Sequence, residues 1–357
     1  MNQKKKYVLI WLFTATAIFL FVVLVNYIVD PYQQYRKASF YPVLYEKNQR
    51  YMLPGMIKNY DYDSIVIGSS MTQNFILSDV RKYLDFNKPI KLTPSSTTAY
   101  EAKQLIELAF KYKKVRQVLY GLDLFAFIGK KDRVEKDVFF PSYLYDNNIW
   151  NDYQYLCNFD IFIKSLKSII IPFFDTKNIL YNYDYMWQWQ HYFKKFRIER
   201  VYETYFRKIK FLKHNDDEKI FLEMKESFDA NLLSIIQQHP ETDFIIFYPP
   251  YSILTFKYWE KTGFLISSIK FKEYVFRKLK KFKNVQIYDF QIEKNILYDL
   301  SNYRDYSHYH QKINIWMLKE IAKKHFIVTD KNIKKKVNTL KKIVIEYPEP
   351  VKNKEKE

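Results

Sequence analysis

Three residue types in this chain are spaced so that they could perform nucleophilic chemistry: a serine after a strand-ending glycine, a histidine, and an aspartate three residues before it. Ser70 lies in YDSIVIGSSMTQNF (62–75), where the apolar run Ile65-Val66-Ile67 meets Gly68-Ser69. The chain has five glycines in 357 residues, so a glycine here is a specific choice. Glycine allows a positive-φ turn and close backbone approach. The serine after it would then face a cleft, beside helix N-terminal amides that favour a developing anion. A serine hydroxyl is a poor nucleophile without a base. Of six histidines, His191 and His214 fall in an aromatic segment, His239 ends a helical pattern and His325 lies late in another. His308 and His310 stand in NYRDYSHYHQKINIWM, with Asp305 three residues before His308. That D-x-x-H spacing lets a carboxylate fix the imidazole tautomer while the other ring nitrogen faces the serine. His310 is expected in a structural or substrate-edge role.

Positioning these groups requires a sheet. Strands are expected at Ser64–Gly68, Ile90–Thr93, Val115–Leu124, Asp243–Tyr248 and Val285–Phe290, each short, rich in Val, Ile, Phe or Tyr, and closed by a turn signal. Helical periodicity separates them, at Thr98–Lys114 and Asp217–Gln238 most plainly. Strands alternating with helices imply right-handed crossovers and an α/β fold with a mostly parallel five-stranded sheet. Working sites of such sheets lie beyond the strands' carboxyl ends, which is where Ser70 and the Asp305–His308 loop belong. Residues 130–214 break the alternation. They are dense in aromatics and read as a helical insertion, with Trp187, Trp189, Tyr192 and Phe193 as its core or as a wall against a sugar ring or the membrane face.

The order strand-Gly-x-Ser near the start and Asp-x-x-His before the last helix resembles the SGNH (GDSL-type) hydrolase superfamily. The resemblance implies a flavodoxin-like three-layer sandwich, with Ser70 as nucleophile and Asp305 and His308 completing a triad. IVIGSSMTQNF, YGLDLFAF and DYSHY, together with an apolar N-terminus, look like the membrane-anchored cell-envelope branch that includes the D-alanyl transfer proteins of lipoteichoic acid synthesis. The resemblance covers the sheet blocks and excludes the insertion and the C-terminal tail. Ser69 stands where the family often has Asp. The second family block supplies a glycine amide to the oxyanion; here KLTPSSTTAYE has none, leaving Ser95 or Ser96. The third block supplies an Asn side chain, and this chain has Asp123. An ionised aspartate accepts hydrogen bonds and repels an oxyanion. Losing one oxyanion donor costs about 3–4 kcal/mol. Ser69, Ser96 and Asp123 are therefore the candidates beside the triad, and Asp123 has the alternative task of holding the Ser70 loop.

Lys4–Lys6 precede an uncharged stretch, Tyr7 to Val29, whose 23 residues exceed the roughly 20 that span a bilayer. This reads as an uncleaved signal anchor with a cytoplasmic N-terminus, and it places the main domain outside the cytoplasmic membrane. A membrane-proximal segment (30–60) follows. The fold is divided by the insertion into 61–129 and 215–328, and a basic tail (329–357) is expected to be solvated. The net charge of +19 is scattered along the chain, so it argues for no nucleic-acid patch and is compatible with an anionic envelope surface. A single cysteine, Cys157, permits no internal disulfide, and no cluster has metal-ligand spacing. No cofactor is expected. The resemblance implies a serine esterase or O-acyltransferase acting on a cell-envelope glycan or polymer. The alternative is a non-catalytic scaffold or carrier-binding partner of an integral membrane acyltransferase.

Overall fold

β-Branched and aromatic residues in short uninterrupted runs form the strands. In the computed structural model, which describes residues 3–45, 48–175, 178–193, 196–214 and 216–351, these are β1 (Ser64–Ile67), β2 (Pro89–Leu92), β3 (Gln117–Gly121), β4 (Asp243–Tyr248) and β5 (Val285–Asp289). All five pair in parallel in the order β2-β1-β3-β4-β5. Ile65 pairs with Ile90 on one side and Val118 on the other, and Ile246 lies between Tyr120 and Ile287. Ile65, Val66, Ile67, Ile90, Val118 and Ile246 are fully buried, as near-continuous apolar strands covered on both faces must be. The chain leaves β1 for β2, then returns past β1 to β3. The direction of winding therefore reverses between β1 and β3, where open α/β sheets place their ligands.

This sheet belongs to a unit made of Tyr62–Val138 and Asp184–Glu357. Its helix Ala99–Tyr112 starts at a capping box, Thr98 accepting the Glu101 amide while the Glu101 carboxylate accepts that of Thr98. The expected helix over 217–238 forms, with a π-helical turn at Asp229–Leu233.

The C-terminal tail corrects an expectation. The sequence predicts a solvated tail over 329–357, of which 352–357 lie outside the described residues, yet Ile333–Glu346 is a helix that buries Ile333, Val337, Leu340 and Val344. Those residues recur at four- and three-residue steps, an amphipathic stripe beneath a dense lysine face. Lys336 is itself buried and reaches the Phe326 carbonyl.

A second unit consists of Met1–Asp61 and Phe139–Tyr183. The aromatic insertion is thus divided: residues 139–183 join the N-terminal segment, and residues 184–214 belong with the sheet. Among the described residues the insertion contains helices and turns and no strand. Its helix Phe159–Ile170 packs against the apolar helix Gln3–Val29. That N-terminal helix, with a mean hydropathy of 2.8 over its most apolar window, is long and apolar enough to cross a membrane. At its C-terminus the Arg36 guanidinium donates to the Tyr27 and Ile28 carbonyls, satisfying groups that lack an intrahelical partner.

Candidate active site

At the end of β1, Gly68 has φ +152°. A Cβ there would lie 2.7 Å from Thr72 Cγ2 and 3.1 Å from the Gly121 carbonyl oxygen. Gly121, at the end of β3, would likewise drive a Cβ into Thr72 Cγ2. The two glycines let Thr72 settle between the strand ends, where its hydroxyl donates to the Ser69 carbonyl at 2.7 Å. Ser70 is thereby presented at the carboxyl edge of the sheet, where it lines a cavity of about 660 Å³.

The Asp305–His308 loop is folded by the aspartate itself. Asp305 Oδ1 accepts the amides of Ser307 (3.0 Å) and His308 (2.9 Å), while the Arg304 amide donates to the His308 carbonyl at 2.8 Å. This turn brings both carboxylate oxygens to 2.9 Å from His308 Nδ1. An ionised carboxylate only accepts, so Nδ1 carries the proton and Nε2 offers its lone pair. Ser70 Oγ lies 2.9 Å from that Nε2. Burial alone would raise the Asp305 carboxyl, but the charges and hydrogen bonds of His308 and Arg304 hold it well below the usual carboxylate range. The three residues singled out in the sequence are therefore hydrogen-bonded in series, across 238 positions of chain.

Of the three further candidates, Ser96 lines the cavity and Ser69 and Asp123 do not. Ser69 is buried, and its hydroxyl accepts the Met71 amide at 3.3 Å. Asp123 is buried and accepts from the Tyr251 hydroxyl. Burial raises its carboxyl above the ordinary value, opposed by Ser69, through its hydroxyl and amide, and by Tyr251. Asp123 thus faces the Ser69 turn and supports it from beneath. Ser96 takes φ +54°, the left-handed region that residues other than glycine seldom enter. Among the described residues neither the Ser70 nor the Ser96 amide donates to a protein acceptor.

Two residues in the site escaped the sequence reading in their actual roles. Trp189 Nε1 donates to the Ser70 carbonyl at 2.9 Å, and its ring meets His308 edge-on, with centroids 5.6 Å apart. Arg304 donates through Nε (3.1 Å) and Nη2 (2.8 Å) to Asp305 Oδ2. Its guanidinium lies between the rings of Trp189 (4.5 Å) and Phe193 (4.4 Å). One indole thus touches the serine, the imidazole and the cation that holds the carboxylate. Arg304, although it adjoins Asp305 in the sequence, carried no expectation, and Trp189 was expected as insertion core or as an aromatic wall.

His310 is structural. Its Nδ1 accepts the Lys312 amide at 3.0 Å and caps helix Gln311–Ala322, while Nε2 lies 3.2 Å from Gln190 Nε2. His239 stacks on Phe110 and His325 pairs with Glu320, and His191 and His214 do not line the cavity. The cavity wall is aromatic, with Tyr251, Tyr258, Trp259 and Phe264. Among the described residues that line it, the cationic side chains are Lys208 and Arg304, beside the His308 imidazole, and none is a carboxylate. Among the described residues no cluster of His, Cys, Asp or Glu could hold a metal ion. No protein-family model matches this chain, and no curated protein matches it.

Proposed function

We propose that this chain is a membrane-anchored serine esterase or O-acyltransferase of the SGNH type, acting on an acylated cell-envelope polymer. The observation that carries this reading is the hydrogen-bonded series Ser70–His308–Asp305 opening into an aromatic cavity at the carboxyl edge of the sheet. The strand order 2-1-3-4-5 supports a flavodoxin-like arrangement, with the site at its point of reversal. The N-terminal helix supports a single-pass anchor in the cytoplasmic membrane. Lys4–Lys6 ahead of the span favour a cytoplasmic N-terminus and an external main domain.

In this reading Ser70 Oγ attacks an ester carbonyl as its proton passes to His308 Nε2. The tetrahedral oxyanion is met by the Ser70 and Ser96 amides. Collapse breaks the bond to the leaving alkoxide, which takes the proton back from His308, and leaves an acyl-Ser70 ester. An acceptor hydroxyl, of a glycan or of water, then attacks the acyl carbonyl as its proton passes to His308, and collapse breaks the bond to Ser70 Oγ, which takes that proton back. Arg304 holds Asp305 ionised, and Asp305 stabilises the imidazolium formed in both half-reactions.

The scaffold reading has one observation in its favour. Where the resembled family has a donor Asn, Asp123 is a buried acceptor bound to Tyr251, so the hole relies on backbone amides alone. The two readings separate on turnover. With the full chain in detergent micelles, p-nitrophenyl acetate and added glycerol, the enzyme reading expects p-nitrophenol release that Ser70→Ala abolishes. Acetylated glycerol among the products would assign transfer, and acetate alone hydrolysis. Release equal in wild type and Ser70→Ala would support the scaffold.

A further inference from the structure

Within the N-terminal unit, Phe21 meets Phe162 with ring centroids 6.0 Å apart and an interplanar angle of 68°. Phe21 lies eight residues before the end of helix Gln3–Val29, which is about 12 Å along its axis. Nearer the end, Asn26 is fully buried although it sits in an apolar helix. Its Nδ2 donates to the Leu156 (2.8 Å) and Asn158 (3.0 Å) carbonyls, and its Oδ1 accepts from Ser165 Oγ at 3.1 Å. A polar amide at membrane depth has to find protein partners, and residues 156–165 supply all three. The segment that satisfies Asn26 therefore lies beside the last turns of the span.

The helix Phe159–Ile170 has three stripes. Phe162 and Ser165 contact the apolar helix, and Ile161, beside Ser165 on the wheel, is buried. Phe159, Ile163, Leu166 and Ile170 recur at four- and three-residue steps on a second stripe; Phe159 is 65% and Ile170 52% exposed. Asp160, Lys164 and Lys167 form the third. The apolar surface continues beyond the helix, with Phe173 78% and Phe174 86% exposed. An exposed Phe-Phe pair is costly in water, and an apolar stripe beside a charged one is the pattern of a helix lying in a bilayer interface.

Taking Gln3–Val29 as a membrane span, we infer that Phe159–Phe174 is a second membrane element, an in-plane helix and turn docked on the span and immersed in the adjoining leaflet. Its occupant is lipid. The Phe159-Ile163-Leu166-Ile170 stripe and Phe173-Phe174 contact acyl chains. Trp150 (83% exposed) and Tyr153 (61%) stand just ahead of the helix, as the aromatic belt at the headgroup level. The inference is independent of the chemistry assigned to Ser70.

Phe173→Cys and Phe174→Cys test it, each introduced into full-length Cys157→Ser protein, labelled with an environment-sensitive fluorophore and reconstituted in phosphatidylcholine–phosphatidylglycerol vesicles. Phe13→Cys in the span and Lys280→Cys on the sheet unit serve as references. The expected result is blue-shifted emission at 173 and 174. Nitroxide attached near the headgroup end of the acyl chains should quench it several-fold more than at 280, while aqueous iodide has little effect. Iodide quenching equal to that at 280 would overturn the inference, and lipid quenching at 13 would show that the span itself remains in place. Protection from both quenchers would also overturn it, because a second copy or another membrane protein would then cover the surface.

Discussion

The indole of Trp189 and the guanidinium of Arg304 decide how firmly the Ser70 site is held. Trp189→Phe keeps the ring against His308 and Arg304 but removes the donor to the Ser70 carbonyl. One such hydrogen bond is worth about 1 kcal/mol of stability, so the thermal midpoint should fall by about 2–4 °C and serine labelling should slow as the Ser70 turn loosens. Arg304→Lys should cost more, because an ammonium cannot reproduce the paired donors on Asp305 or the stacking between two rings. Both are read as second-order rates of serine labelling by a fluorophosphonate, beside melting curves. Equal rates in all three proteins would remove these residues from the site. Asp123 makes a different prediction. Its carboxyl is raised above the ordinary 3.8 by burial, so the folded state binds its proton more tightly than the unfolded state does. Its contribution therefore weakens stability as pH rises from about 3.8 through the folded value. Asp123→Asn keeps an acceptor for Tyr251 and removes the charge. Its thermal midpoint should match or exceed wild type at neutral pH, with the difference shrinking toward pH 4. Asp305 has the opposite sign, lending stability above 3.8 that is lost as pH falls through its lower folded value.

At the scale of elements, the turn after β1 depends on Gly68. Gly68→Ala forces a side chain into a positive-φ position and onto Thr72, at a cost of about 2–3 kcal/mol. Thr72→Ser withdraws Cγ2 and should restore part of that loss, which denaturant unfolding of the single and double variants would show. This turn was legible because Gly-Ser-Ser after an apolar run is a local signal, and so was the D-x-x-H loop, whose carboxylate bonds amides two and three residues on. The five strands were legible for the same reason, as short apolar runs closed by turns. Trp189 was not: its partner Ser70 is 119 positions away, and nothing in YNYDYMWQWQHYF distinguishes one aromatic from the next. The helix Ile333–Glu346 was hidden by its lysines, although its apolar residues kept a helical period. The split of the insertion at residues 139–183 was also invisible, because it is decided by packing against the N-terminal segment.

At the scale of the whole molecule, the chain consists of a sheet unit with a serine, imidazole and carboxylate in series and an N-terminal unit built on an apolar helix. Whether Ser70 is an activated nucleophile is tested by mass-spectrometric mapping of a fluorophosphonate adduct on the full-length protein. A single adduct is expected, on Ser70, that disappears in His308→Ala and forms more slowly in Asp305→Asn. A folded protein that takes up no probe, or one whose labelling survives His308→Ala unchanged, would contradict that expectation.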